Sequence, residues 1–177
     1  MAPSVFGAVA VAAVALVVWM SRPADFVDTR VLPRLGPQER LLSQGEGINE
    51  IVTVTETPGK GRMLMTNGHP MSATYRFSQR YMRAIAHVPL LLSDQPSRVL
   101  VIGFGVGNTT RAATLHPSVT RVDVADLSTN VLRHASYFED ANTGVLRDPK
   151  VTVYVNDGRH HLRLQPEGTY DLIALEP

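Results

Sequence analysis

Residues 98–126, RVLVIGFGVGNTTRAATLHPSVTRVDVAD, limit what this chain of 177 residues can fold into more than any other stretch does. Val99–Ile102 is an uninterrupted, mostly β-branched apolar run, the pattern of a strand buried on both faces in a parallel sheet. It leads directly into Gly103-Phe104-Gly105-Val106-Gly107, three alternating glycines at a sharp turn, where the backbone lets a ligand approach its amides. Thr109–Leu115 reads as a helix whose first amides and positive dipole end face the same ligand. A second strand, Val122–Ala125, ends at Asp126, nineteen positions after Gly107. That is close to the roughly 20-residue offset of the acid that takes a ribose hydroxyl in nucleotide-binding βαβ units. Glycines at a strand-to-helix turn also serve packing alone, but the strand, the helix and the acid-ended second strand around them favour a nucleoside-type ligand. Asn108 stands where the last glycine of the G-x-G-x-x-G fingerprint falls, which points away from NAD.

The same alternation continues downstream. Ser128 is a candidate N-cap for a helix that buries Val131, Leu132, Ala135 and Phe138. Val151–Val155 is a third strand, ending at Asn156-Asp157-Gly158, and Tyr170–Leu175 a fourth, ending at Glu176-Pro177. Strands alternating with helices give an α/β fold with a parallel sheet. Gly103, Gly105, Gly107, Asp126, Asp157, Gly158 and Glu176 then all fall at carboxyl ends of strands, where open α/β sheets bind ligands. Each acid also has a plainer reading: Asp126 as a helix cap, Asp157 as a turn residue, Glu176 as a solvated loop carboxylate. His160 and His161 are adjacent, point about 100° apart on a helix, and read as a surface pair; His87 reads as packed or capping.

Upstream, residues 1–21 carry no charged side chain and are expected to form a transmembrane helix or signal anchor, with a signal peptide and a buried helix as rivals. Arg22, Arg30 and Arg34 follow the apolar run, so a spanning segment would leave the rest of a membrane-attached chain on the cytoplasmic side. Residues 22–45, with their prolines, read as a linker with one helical turn near Gln38–Leu42. Residues 46–75 read as a small β-hairpin unit: Ile48–Thr55 and Arg62–Thr66 flank Pro58-Gly59-Lys60-Gly61, and Asn67-Gly68 marks a further turn. The principal domain is expected over 76–177. It begins with a helix over Arg76–Leu92, in which Phe77, Tyr81, Ile85 and Val88 recur at spacings of three and four and Pro89 kinks or ends the helix.

Seventeen basic residues against sixteen acidic ones leave no excess with which to neutralise phosphates, so no nucleic-acid partner is expected. With no cysteine in the chain, disulfide frameworks, thiolate metal sites and thiol catalysis are excluded. No metal ligand set is expected elsewhere.

Taken in order, VLVIGFGVG, VDVADLS, DPKVTVYVNDGRHHL and YDLIALEP resemble the aminopropyltransferases, the spermidine synthase family, over about residues 46–177. The arrangement is most similar to bacterial members fused to membrane helices. The resemblance implies a Rossmann-like, S-adenosylmethionine-type fold, truncated here after its fourth strand, and pairing into a homodimer. It implies transfer of an aminopropyl group from decarboxylated S-adenosylmethionine to putrescine or another small amine. Carried over by position, Gly103, Gly105 and Gly107 line the nucleoside and sulfonium end, Asp126 holds the ribose hydroxyls, Asp157 and Gly158 meet the adenine, and Glu176 accepts the proton of the attacking amine. Three positions depart from the family: Val106 replaces an aspartate of the glycine turn, Tyr81-Met82-Arg83 stands for Tyr-His-Glu, and Asn67 replaces an aspartate before glycine. Two other readings therefore stand beside the first. One is methyl transfer from S-adenosylmethionine, with Arg83 pairing with the methionine carboxylate; the other is a non-catalytic nucleoside-binding remnant.

Overall fold

The computed structural model describes residues 5–22, 35–48 and 50–176. Two units are distinguished, residues 1–34 and 35–177. In the first, α1 (Val5–Met20) is an apolar helix whose described side chains are exposed. The expected transmembrane helix is not supported: sixteen residues at 1.5 Å each reach about 24 Å, short of a hydrocarbon core of roughly 30 Å. Among the described residues no helix is long and apolar enough to cross a membrane. Arg30 and Arg34 lie outside the described residues.

The second unit holds two sheets. β1 (Arg40–Glu46), β2 (Ile51–Thr57), β3 (Gly61–Thr66) and β4 (His69–Ala73) form an antiparallel sheet in that order. β1 lies where a linker and a helical turn were expected. Its RLLSQGE carries no clean alternation, and a bulge between Leu41 and Ser43 interrupts its pairing with β2. The other turns fall where glycine and proline place them, and Asn67 adopts the left-handed conformation in the last hairpin, with φ 51°.

β5 (Arg98–Ile102), β6 (Arg121–Asp126), β7 (Val151–Val155) and β8 (Leu172–Leu175) form a parallel sheet in the order β7-β6-β5-β8. The expected parallel α/β architecture is present. The chain steps outward from β5 to β7 and then returns to the other side of β5, which makes the β5–β8 seam a topological switch point, the place where such sheets open a ligand crevice. Val99, Val101, Val122, Val124 and Ala174 face one side of the sheet. There they pack against α2 (Arg76–Leu92), against α3 (Asn108–Thr114) and against Val131 and Phe138 of the segment beginning with α4 (Thr129–Arg133). Val52, Val54 and Leu64 of the antiparallel sheet belong to the same core.

α2 covers the expected residues and continues through Pro89, but of the expected stripe only Ile85 packs against the core. Met82, Ala86 and Leu90 face the core, whereas Phe77 is 83% and Leu92 83% exposed, and Tyr81 and Val88 are exposed as well. Ala86, fully buried, lets the helix approach α3 closely, and a larger side chain on that face would hold them apart. After α4 the chain passes through a 3₁₀ turn (His134–Phe138), α5 (Glu139–Asn142) and a second 3₁₀ turn (Val145–Arg147). α6 (Gly158–Arg163) connects β7 to β8.

Candidate active site

The glycine turn is shaped by what lies beside it. At Gly105, φ is 53°, and a Cβ would stand 2.5 Å from Glu176 Oε1 and 2.8 Å from Ser72 Oγ. At Gly103, a Cβ would stand 2.5 Å from the Glu176 carbonyl oxygen. Any side chain at either position collides with the segment after β8. The intervening Phe104 and Val106 are fully buried in the core and anchor the turn from beneath. Gly107 is the N-cap of α3; a Cβ there would meet Phe104 and Asn142, so this glycine serves packing and does not line the cavity described next.

A cavity of about 310 Å³ opens at the carboxyl ends of β5, β6, β7 and β8. Six of the seven sequence-expected site residues line it: Gly103, Gly105, Asp126, Asp157, Gly158 and Glu176. The antiparallel sheet closes it with Glu50, Leu64, Thr66, Met71 and Ser72. Four carboxyl groups face this space, and none of the lining residues is Lys, Arg or His. The arrangement selects against anionic groups and for cationic ones. Among the described residues no group of three or more His, Cys, Asp or Glu side chains is placed to hold a metal ion.

Asp126 ties the cavity floor together. Its Oδ2 accepts from the Phe104 amide (2.7 Å) and its Oδ1 from the Ser128 amide (2.7 Å), so the carboxylate braces the glycine turn and the start of α4 at once. Each oxygen keeps a further lone pair for a ligand hydroxyl. Burial pushes the Asp126 pKa up; the two amide donors oppose this, and the Glu50 charge adds to it. Asp157 is the N-cap of α6, its Oδ1 accepting from the His160 amide (2.7 Å), so the plainer role is filled at the same time as the residue lines the cavity.

Glu176 is fixed by β8, where its amide donates to Ile102 O (2.9 Å). Oε1 accepts from Ser72 Oγ (3.2 Å), and Ser72 Oγ accepts in turn from the Val106 amide (3.2 Å). Oε2 is buried and has no hydrogen-bond partner. Burial pushes the Glu176 pKa up to about 7, helped by the Asp126 charge and opposed by the hydroxyls of Thr109 and Ser72. A buried carboxyl whose pKa burial pushes up to about 7, in the wall of the cavity beside a glycine cradle, is equipped to take a proton from a cationic group there.

Glu50 and Ser72 gave no sequence signal. Glu50 Oε1 accepts from Ser128 Oγ across 78 positions, and Ser72 meets Glu176 across 104, contacts that no local pattern reports. Arg83 is not in the cavity: it donates to Gln79 Oε1 (2.7 Å) and Ala141 O (3.5 Å). It is therefore not placed to pair with the carboxylate of a ligand in the cavity, the role expected of it. Met82 is core, with its sulfur accepting from Asn108 Nδ2 and 3.4 Å from Ser72 Oγ. His161, expected at the surface, is 3% exposed, and His87 Nδ1 lies 2.8 Å from His116 Nε2.

Residues 78–176 match the spermine/spermidine synthase domain. Spermidine synthase 1 of Pisum sativum is 34% identical over 139 residues, covering 78% of this chain and 41% of the relative; the Coffea arabica spermidine synthase is also 34% identical, with 78% and 43% covered. Among solved structures, the Thermotoga maritima spermidine synthase superposes with a TM-score of 0.71 at 25% identity, over 77% of this chain and 46% of that one. A spermidine synthase solved with the transition-state analogue AdoDATO gives 0.72 at 25% identity, over 78% and 46%. The chain spans about two-fifths of the length of these plant relatives. With its domain match covering more than half of the sequence, the chain belongs to the spermine/spermidine synthase family.

Proposed function

We propose that the cavity binds decarboxylated S-adenosylmethionine and transfers its aminopropyl group to putrescine or a similar small amine. The observation that carries this reading is that every charged residue lining the cavity is an acid. The donor brings a sulfonium and an ammonium but no carboxylate, and the acceptor brings ammonium groups, so every charge that enters is positive. In the proposed complex Asp126 takes the ribose hydroxyls, Asp157 and Gly158 meet the adenine, and Gly103 and Gly105 leave room for the sulfonium end. This reading also answers the loss of the aspartate at Val106, since Glu50, Asp126, Asp157 and Glu176 keep the cavity anionic.

The reaction needs a neutral amine, because the protonated form has no lone pair. The Glu176 carboxylate accepts a proton from the acceptor ammonium. The freed nitrogen pair attacks the propyl carbon next to the sulfonium, the C–S electron pair moves to sulfur, and neutral methylthioadenosine leaves. The product is a secondary ammonium, and the proton on Glu176 passes to water. An amine with a pKa of roughly 10.4 lies about 6 units above an ordinary carboxylate; the raised pKa of Glu176 narrows the gap by about 2.5 units, which eases the transfer by roughly 3 kcal/mol. The remaining acceleration comes from holding nitrogen, carbon and sulfur in line.

The test is titration calorimetry of the full chain with decarboxylated S-adenosylmethionine, methylthioadenosine and intact S-adenosylmethionine in parallel. Tighter binding of the first two supports aminopropyl transfer. Preference for the intact donor moves the reading to methyl transfer, and binding without turnover identifies a nucleoside-binding remnant. Pairing of two chains belongs to the same proposal and is read by sedimentation of the same sample.

A further inference from the structure

A second polar cluster lies outside the cavity, beneath α6. Asp123 is 2% exposed in the middle of β6. By strand alternation it faces away from Val122 and Val124, and so away from the core that α2 and α3 cover. Arg121 Nε donates to Asp123 Oδ1 (2.8 Å), and Tyr170 Oη donates to Oδ2 (2.9 Å). Tyr170 Oη is also 2.8 Å from His161 Nε2. The hydroxyl has a single hydrogen and gives it to the carboxylate, so it accepts from His161, which assigns the ring proton to Nε2. Tyr154 completes the cluster: its hydroxyl takes a bond from Arg121 Nη2 (2.8 Å), and its ring lies 4.5 Å from that of His161. None of these side chains lines the cavity.

The cluster bears on the cavity through α6. This helix has six residues, too few to hold its shape unaided. Its first turn carries Asp157 and Gly158, which do line the cavity, and closes with the His161 amide on Asp157 O (2.7 Å) and the His160 amide on Asp157 Oδ1 (2.7 Å). Gly158 is pressed so closely on Ile102 of β5 that a Cβ would collide with it, so small displacements of α6 change the cavity wall. We propose that Asp123, Tyr170 and His161 form a positioning relay that pins α6 to the sheet and thereby fixes Asp157 and Gly158 in the nucleoside wall. Burial and the neighbouring Asp123 charge hold the Tyr170 hydroxyl in its protonated form, as a lasting donor. The relay rests on the nucleoside reading of that wall, and its test separates the two.

The experiment compares the full-length wild type with Tyr170→Phe, His161→Leu and His161→Gln by amide hydrogen exchange and by titration with methylthioadenosine. Loss of the Tyr170 hydroxyl is expected to speed exchange at the His160 and His161 amides about tenfold relative to Leu100 of β5, and to raise the Kd for methylthioadenosine about 5- to 10-fold, with kcat at saturating donor unchanged. His161→Leu does the same, whereas His161→Gln, which retains an N–H donor, restores both values to within about threefold. Equal acceleration at Leu100 and at α6 means general destabilisation and overturns the relay. Faster α6 exchange with an unchanged Kd also overturns it, since the pin would then not shape the wall. Should the wild type bind no methylthioadenosine, the nucleoside reading fails, and with it the claim for Asp157 and Gly158; the exchange comparison still decides whether the relay pins α6.

Discussion

Glu176 ionises near pH 7 because burial removes the water that would solvate its charge. The folded chain therefore keeps a proton that the unfolded chain releases near 4.5. Stability from this group is full below about pH 4.5 and falls as pH rises toward 7, by a total of roughly 3 kcal/mol. The proposed aminopropyl transfer should move the opposite way, because only the ionised form accepts a proton. Glu176→Gln is thus expected to lower kcat about 10²- to 10⁴-fold. The same change removes most of the loss in stability between pH 5 and pH 8, which urea denaturation at the two pH values measures. The wild-type kcat/KM should rise with pH to a plateau above about 7. Asp126 carries a different burden, since both its oxygens already hold backbone amides. Asp126→Ala should weaken methylthioadenosine binding at least tenfold, given that lost hydrogen bonds to a charged group contribute about 1.5–3 kcal/mol; calorimetry reads it directly.

Single elements decide whether the site forms. At Gly105 the positive φ and the 2.5 Å that would separate an added Cβ from Glu176 Oε1 act together. Gly105→Ala should destabilise the fold by about 1–3 kcal/mol and displace Glu176, which a shift of the pH–rate midpoint reports. On α2 the two faces should answer differently to mutation: Ala86→Leu overpacks the contact with α3 and costs about 1–3 kcal/mol, whereas Leu92→Ser, on the exposed face, stays within about 0.5 kcal/mol. Thermal unfolding of the two variants checks this. The same helix shows where the sequence is informative. Its bounds followed from periodicity, but periodicity does not say which stripe turns inward, and the small Ala86 outweighed the larger Phe77 and Val88. β5 was legible because a strand buried on both faces needs an unbroken apolar run, and β6 to β8 followed from the alternation of strands with helices, although β7 and β8 are largely exposed. β1 was not, because an edge strand with a bulge carries no such pattern. The acids at the strand ends were legible from their spacing and position. Glu50 and Ser72, brought in by the antiparallel sheet, were not, because nothing near them in sequence records a partner so distant.

Across the larger unit, charge is sorted. The cavity is lined by four acids and no base, whereas a groove at the start of α2 is lined by Lys60, Arg76, Arg80 and Arg83 with no acid. The near-neutral total of +1 conceals this separation. Discrimination between the decarboxylated and intact donors should therefore exceed tenfold at about 0.05 M salt and narrow by a few fold at about 0.5 M, where the Debye length shrinks from roughly 14 to 4 Å; paired titrations at the two salt levels measure it. One bond described above sets a limit on how such a site can diverge. The Glu176 amide is stitched to Ile102, the residue that opens the glycine turn, so Glu176 and the cradle travel as one rigid piece. New acceptors cannot be reached by sliding one against the other. Changes in what the site accepts are left to the length and chemistry of the side chain at 176 and to the wall opposite.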